Sequence, residues 1–212
     1  MEQVEEYVKG KWQQLTAFSA KQDVNNRLWN ELAYRYAERH RHYHNLNHIA
    51  YIFSLCDKHI GQITKPAVVG FAVLYHDVVY NTYHNDNEEQ SAAVAEMHLQ
   101  QLKVKQHLIE DVKTFILATK DHKIPLDFSL KNDLALFLDF DMSILASEPE
   151  TYSIYSQKIR QEYGKYSDEV YNEGRKMALS KMLDATLFHN PQLKELMEEK
   201  ARNNMRNELG GL

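Results

Sequence analysis

The amino-acid sequence predicts an all-α protein. Its 212 residues include only 7 glycines and 4 prolines, so we expect few turns and long secondary-structure elements. Apolar residues recur at spacings of three and four along most of the chain, which is the period of a helix with one buried face. No repeat, low-complexity tract or linker interrupts this pattern, and a chain of this length suits one domain, here 1–212.

The first two helices are predicted over about 2–19 and 23–40. Asp23 is the expected N-cap of the second helix, because an aspartate side chain there accepts a hydrogen bond from a free backbone N–H. A third helix is predicted over about 45–60. The apolar face of this third helix is formed by Ile49, Ile52, Phe53, Cys56 and Ile60.

A nearly continuous apolar run follows Pro66 and ends at His76-Asp77. Proline is tolerated in the first turn of a helix, so Pro66 marks a start. Periodicity alone would also allow a buried strand, but the length of the run and its alanines favour a helix.

A polar loop over 81–87 precedes the next helix, whose start has the spacing of a capping box in Asp86 and Glu89. Another helix is predicted over about 106–120, and Pro125 forces the chain to leave it.

Four further helices are predicted in the last third of the chain. The first of them carries Leu134, Leu138 and Leu145 on one stripe. The starts of the other three are marked by Pro149, Ser167 and Pro191. Arg160 and Arg175 also lie in this region, where solvated or ion-paired side chains are the default interpretation and phosphate contacts the alternative.

Composition excludes several classes of protein. A net charge of −5 gives no electrostatic reason for nucleic acid or an anionic membrane as the main partner. Cys56 is the only cysteine, so a disulfide within the chain and cysteine-based zinc sites are excluded. The acidic, polar N-terminus lacks a secretory signal pattern, and no apolar run reaches the roughly 20 residues of a membrane span. A cytoplasmic location is therefore expected.

His76-Asp77 is the most informative motif of the sequence. Two polar side chains at the end of a buried element are costly to desolvate unless something binds them. Aspartate binds hard cations and histidine binds transition metals, so the pair indicates a divalent metal site. The alternative is a helix cap with a histidine packed beside it.

His44 and His48 are four residues apart and can share one face of a helix. A divalent metal could take one of them or both. The alternative is that they belong to a histidine- and arginine-rich surface stretch around 39–44.

Asp141 falls on the apolar stripe of its predicted helix, between Leu138 and Leu145. An aspartate in such a place must be paired, hydrogen-bonded or metal-bound. Asp139 lies about 200° away around the helix, so Asp141 is the preferred ligand and Asp139 the alternative.

Lys120 and His122 follow an apolar helix and could hold a phosphate, or His122 could bind a second metal. The alternative is a helix C-terminus carrying cations that suit its dipole. Glu89 most simply caps or solvates its helix, although a carboxylate near a metal could also orient water.

The ordered set His48, His76, Asp77 and Asp141 resembles the His…His-Asp…Asp metal set of the HD superfamily of metal-dependent phosphohydrolases, which is built on a helical bundle. The segment over 43–48 is also similar to the Tyr-His-Asn-Trp-x-His element of cyclic-nucleotide phosphodiesterases, with Leu46 in place of tryptophan. That similarity implies that His44 is the proton donor and His48 a metal ligand.

Five segments together look like a bacterial group of predicted HD phosphohydrolases. They cover roughly 39–145, the expected metal-site core, with the N- and C-terminal helices packed on it. The matching segments are Arg41-x-Tyr43-His44-Asn45, Tyr75-His76-Asp77-Val78-Val79-Tyr80, Asp86-Asn87-Glu88-Glu89-x-Ser91-Ala92, Leu117-Ala118-Thr119-Lys120 and Phe137-Leu138-Asp139-x-Asp141-x-Ser143-Ile144-Leu145.

The resemblance implies a phosphohydrolase that uses Mn²⁺, Mg²⁺, Fe²⁺, Co²⁺, Ni²⁺ or Zn²⁺ and acts on a nucleotide or another small phosphorylated metabolite. In that mechanism Asp77 or Glu89 orients a metal-bound water, His44 or His122 protonates the leaving oxygen, and Lys120 stabilises the phosphate charge. A di-iron oxygenase using His122 and a non-catalytic nucleotide- or metal-binding regulator are the alternatives. Neither nucleic acid nor membrane is expected as a partner, and the oligomeric state is left open.

Overall fold

The computed structural model describes residues 2–19 and 21–212, so Met1 and Ala20 of the predicted 1–212 domain lie outside the described residues. The described residues form ten α-helices and two short 3₁₀ turns, with no strand among them. The all-α prediction is therefore confirmed. The helices are α1 Glu2–Leu15, α2 Gln22–Tyr36, α3 Leu46–Lys58, α4 Pro66–Tyr75, α5 Asn87–Gln101, α6 Gln106–Ala118, α7 Lys131–Met142, α8 Pro149–Glu162, α9 Asp168–Leu183 and α10 Pro191–Gly211.

The chain divides into two compact units, Met1–Phe137 and Leu138–Leu212. Helix α7 belongs to both, because it runs as one continuous helix through the boundary. The expectation of a single domain stays a prediction.

Helix α4 lies at the centre of the N-terminal unit. It contacts α1, α3, α5 and α6, and its side chains from Val68 to Tyr75 are all buried. A helix that is apolar on every side is stable only when neighbours cover it completely, as here. Gly70 allows α1 to approach closely, because a Cβ at this position would lie 2.9 Å from the side chain of Leu15 in α1.

The C-terminal unit has a core of its own, in which α10 covers the 3₁₀ turn Ser143–Ala146 and packs against α9. The fully buried side chains of this core include Leu179, Phe188 and Met205. Apolar burial of this kind is the main favourable contribution to folding.

Several helix starts agree with the sequence. Pro66, Pro149 and Pro191 are first-turn prolines, and Ser167 caps α9 by accepting a hydrogen bond from the Val170 N–H. Such caps satisfy backbone N–H groups that have no partner inside the helix.

Two predicted caps are wrong. Lys21 is the N-cap of α2, and Asp23 lies in the first turn, where a carboxylate still suits the helix dipole. Asp86 does occupy the N-cap of α5, but its carboxylate accepts from Gln90 Nε2 at 2.9 Å and makes no capping hydrogen bond. The capping box with Glu89 therefore does not form.

The first two helices each end four residues before the predicted limit, at Leu15 and Tyr36. Residues 37–45 consequently form a loop between α2 and α3, and this loop carries His44. In the part of the chain that the structure describes, no helix is both long and apolar enough to cross a membrane.

Candidate metal centre

His48 and His76 are held by the ends of two packed helices. Asn45 caps α3 by accepting a hydrogen bond from the Asn47 N–H, which places His48 in the first turn of that helix. His76 follows the last residue of α4, and its N–H still donates to the Ala72 carbonyl at 2.9 Å. Both imidazoles are buried, and α3 and α4 contact each other.

The two imidazole rings meet through their Nε2 atoms, which are 3.3 Å apart. Two nitrogens at this separation are spaced as two ligands of one ion would be, because metal–nitrogen bonds are about 2.1 Å long. Asp77 Oδ2 lies 3.2 Å from His76 Nε2 and 3.8 Å from His48 Nε2. The Asp77 carboxylate therefore adds a negative charge directly beside the pair.

The hydrogen bond on the other side of the His76 ring indicates which nitrogen can bind an ion. His76 Nδ1 lies 3.1 Å from the Val73 carbonyl oxygen, which can only accept, so Nδ1 carries the proton and donates. In the neutral tautomer that makes this hydrogen bond, the Nε2 atom has a lone pair that could bind an ion. A backbone carbonyl that fixes the far side of a histidine is the usual support of a metal ligand.

Asp141 completes the cluster. One ligand atom from each of His48, His76 and Asp141 lies within 4.8 Å of the others, so these three residues form a group that could hold a metal ion. We call them the His/Asp cluster. Its mixed nitrogen and oxygen donors suit divalent transition metals and do not distinguish among them.

Asp139, the alternative ligand, has another role. Its carboxylate accepts hydrogen bonds from the backbone N–H groups of His189 at 2.7 Å and Asn190 at 2.8 Å, just before α10 begins. Burial raises the pKa of Asp139 to about 6, against the lowering effect of these two hydrogen bonds. The choice of Asp141 over Asp139 as the metal ligand stays a prediction.

His44 lies beside the cluster. Its ring centroid is 5.9 Å from that of His48, and its ring stacks on Tyr80 at 4.3 Å. The structure thus brings the predicted proton donor next to a predicted metal ligand.

Lys120 and Glu89 form an ion pair with each other. Lys120 Nζ also donates to the Asn85 carbonyl at 2.9 Å, so the end of α6 is joined to the start of α5. The Lys120 ammonium lowers the pKa of Glu89, and the Glu89 carboxylate raises the pKa of Lys120. Their catalytic roles stay predictions.

His122 has a left-handed backbone conformation with φ of 53°. Its assignment as a second acid or a second metal ligand also stays a prediction.

Sequence reasoning missed the role of Arg41. The sequence places this residue in a possible surface stretch, yet its side chain is completely buried and donates to the Asp77 carbonyl at 2.6 Å. The only available signal was its place in the segment Arg41-x-Tyr43-His44-Asn45.

The chain matches no protein-family model, no curated protein and no solved structure. The resemblance to the HD superfamily therefore depends on the sequence motifs and on the His/Asp cluster, which is consistent with an HD-like site.

Proposed function

We propose that this protein is a metal-dependent phosphohydrolase of a nucleotide or another small phosphorylated metabolite. The observation that carries the proposal is the His/Asp cluster, because His48, His76 and Asp141 come from three separate segments of the chain and converge. These residues would hold a divalent ion, with Asp77 beside it. When bound, such an ion lowers the pKa of water and polarises a phosphoryl oxygen.

The protein's own groups supply the remaining steps of the proposed reaction. Asp77, with its carboxylate 3.2 Å from a predicted ligand nitrogen, accepts a hydrogen bond from the attacking water and orients it. His44 in its protonated form donates to the leaving oxygen, which an imidazole can do near neutral pH. Stacking on Tyr80 limits the rotation of the His44 ring and so keeps the donor in place.

Lys120 is proposed to stabilise the substrate's negative charge. An ammonium group has three N–H donors, and the contacts to Glu89 and Asn85 use two of them. The third N–H is proposed to donate to a phosphoryl oxygen. Glu89 holds Lys120 in this role, or it orients water in place of Asp77.

The test is a phosphate-release assay with metal-stripped protein that carries no histidine tag. Nucleotides and simple phosphoesters are offered with Mn²⁺, Mg²⁺, Co²⁺, Ni²⁺, Fe²⁺ and Zn²⁺ in turn. We expect release that depends on the metal and that falls at least about 100-fold in Asp77→Ala, the loss typical of removing a group that acts on the reacting water. His107→Ala is the matched control, because His107 is an exposed histidine on α6.

Two results would contradict the proposal. Tight metal binding without release of phosphate from any substrate would favour a regulatory binding protein. Two bound irons with substrate-dependent oxygen uptake would favour an oxygenase.

A further inference from the structure

Arg41 lies in the loop between α2 and α3, and its side chain has no exposure to solvent. A buried guanidinium is costly unless its N–H groups are hydrogen-bonded. Its carboxylate partner is Glu38, which accepts from Arg41 Nε at 3.0 Å. The guanidinium also lies over the rings of Tyr36 and Tyr80, at 5.2 and 5.6 Å from their centroids.

The other donors of Arg41 reach three backbone carbonyls in two separate segments. Nη1 donates to His44 O at 3.1 Å and to Asp77 O at 2.6 Å, and Nη2 donates to Val78 O at 3.0 Å. One side chain therefore joins the loop that carries His44 to the turn that carries Asp77.

These carbonyls belong to the two segments that the proposed reaction must align. The turn at Asp77 and Val78 directly follows His76, and it leads into Tyr80, on which the His44 ring stacks. Holding the backbone on both sides fixes the distance from the proton donor to the predicted metal ligands.

We propose that Arg41 is a positioning residue that fixes His44 against the His76-Asp77 turn; the catalytic consequence of this role rests on the proposed phosphohydrolase function. Arginine suits the task because its planar fork carries five donors in fixed directions. Lysine concentrates three donors on one nitrogen and cannot reach Glu38 and all three carbonyls together. Arg41→Lys therefore keeps the charge and loses the connection.

Arg160 provides a matched control in the C-terminal unit. Its Nη1 and Nη2 donate to the carbonyls of Tyr163 and Tyr166 at 3.0 Å each, and its Nε donates to Asp168 at 3.1 Å. The arrangement is the same kind of arginine connection, formed within residues 160–168. Arg160→Lys therefore measures how much activity and hydrogen exchange change when an arginine connection of this kind is lost within residues 160–168.

The first readout compares two substrates of wild-type and variant protein. Phenyl phosphate has a poor leaving group and needs the proton donor, whereas p-nitrophenyl phosphate has a good leaving group and needs it much less. In Arg41→Lys we expect kcat for phenyl phosphate to fall about 10- to 100-fold, the usual effect of removing a supporting residue. For p-nitrophenyl phosphate, and for both substrates in Arg160→Lys, we expect changes within about threefold.

A double substitution tests whether Arg41 acts through His44. In a His44→Ala background, Arg41→Lys should cause no further loss with phenyl phosphate, because residues acting as a unit are not additive. Equal losses for the two substrates, or a full further loss in the His44→Ala background, would assign Arg41 a structural role only and overturn the proposal.

The second readout does not depend on activity. Hydrogen exchange should speed up over 42–46 and 76–80 together in Arg41→Lys, and over 163–166 alone in Arg160→Lys. An unchanged exchange rate over 42–46 or over 76–80 would contradict the proposal that Arg41 connects these segments. If wild-type protein releases no phosphate, the proposed function fails, and this exchange measurement alone decides whether Arg41 joins the two segments.

Arg41→Gln replaces Arg41→Lys if the latter does not fold. Glutamine is neutral, so it buries no unpaired charge, and its single NH₂ group cannot reach the carbonyls of His44, Asp77 and Val78 together as the guanidinium does. A loss with phenyl phosphate larger than the loss with p-nitrophenyl phosphate would support the proposal. An unchanged ratio of the two rates would overturn it.

Discussion

Two polar groups in the interior of this protein differ in how their charges are neutralised. The His/Asp cluster brings together two imidazoles and the Asp141 carboxylate, with the Asp77 carboxylate beside the imidazole pair. In the C-terminal unit, Arg175 instead donates to both carboxylate oxygens of Glu208, from Nε at 2.8 Å and from Nη2 at 3.0 Å. We call this second group the Arg175–Glu208 pair.

In the Arg175–Glu208 pair, the negative charge of the carboxylate is neutralised by the guanidinium of the same protein. Tyr152 and Ser156 also donate to the Glu208 carboxylate, at 2.5 and 2.8 Å. Burial by itself raises the pKa of Glu208, but the hydrogen bonds and charge of Arg175 lower it below the ordinary value. The contrast teaches that a carboxylate paired with arginine is neutralised within the protein, whereas converging imidazole and carboxylate groups suit a cation from outside.

The largest effect is expected from breaking the self-neutralised pair. Glu208→Gln leaves the Arg175 charge buried without its carboxylate, and we expect the free energy of unfolding to fall by about 3–5 kcal/mol. Because the Arg175–Glu208 pair is not expected to bind a metal, the loss of unfolding free energy should be the same in the presence of added metal and in the presence of a chelator. Denaturant unfolding under both conditions measures it.

The matched control is the exposed pair Arg206–Glu199 on the same helix, with 3.3 Å between charged atoms. Glu199→Gln should change stability by less than about 1 kcal/mol. A Glu208→Gln loss as small as this would mean that the Arg175–Glu208 pair contributes no more than a surface pair.

The next effect concerns the metal. At a free metal concentration about 1,000 times Kd, binding should stabilise the wild-type protein by about 4 kcal/mol, because only the folded state assembles the cluster. His76→Ala removes a predicted ligand and should abolish most of this gain. Thermal or denaturant unfolding with added metal and with chelator gives both values.

His107→Ala should keep the full stabilisation by metal, since it removes an exposed histidine from α6. If His76→Ala kept it as well, the metal would bind elsewhere on the chain. The contrast between the two buried groups would then fail.

The smallest effect is a pH dependence from Asp139, a buried carboxylate that accepts hydrogen bonds from the backbone N–H groups of His189 and Asn190. Its pKa is about 6 in the folded protein, above the ordinary value of 3.8. The folded state thus binds this proton more tightly, so its contribution is full below pH 4 and is lost as pH rises through 6. The loss is at most about 3 kcal/mol, since one pKa unit corresponds to about 1.4 kcal/mol.

Asp139→Ala should be less stable overall, because the N–H groups of His189 and Asn190 lose their acceptor. It should also lack the fall in stability between pH 4 and 6. The unfolding free energy of both proteins, measured across this range without metal, tests the assignment, and identical slopes would contradict it.

Local patterns account for much that could be predicted. Helical spacing and first-turn prolines gave the all-α fold and several helix starts, since both depend on backbone geometry within a few residues. Periodicity also separated Asp141 from Asp139, because residues two apart on a helix point in very different directions. The predicted caps at Asp23 and Asp86 do not form, because Asp23 lies inside the first turn of α2 and the Asp86 carboxylate accepts from Gln90 Nε2 instead of a backbone N–H.

The sequence by itself determined the helical architecture, the presence of a single cysteine and the histidines and carboxylates available to a metal. Only the tertiary structure decided the partners of the charged side chains. Glu208 pairs with Arg175, Lys120 pairs with Glu89, and Arg41 donates to the carbonyls of His44, Asp77 and Val78. The reason is physical. Helical periodicity is a local property, whereas the partner of a buried charge comes from whichever distant segment folding brings within hydrogen-bond distance.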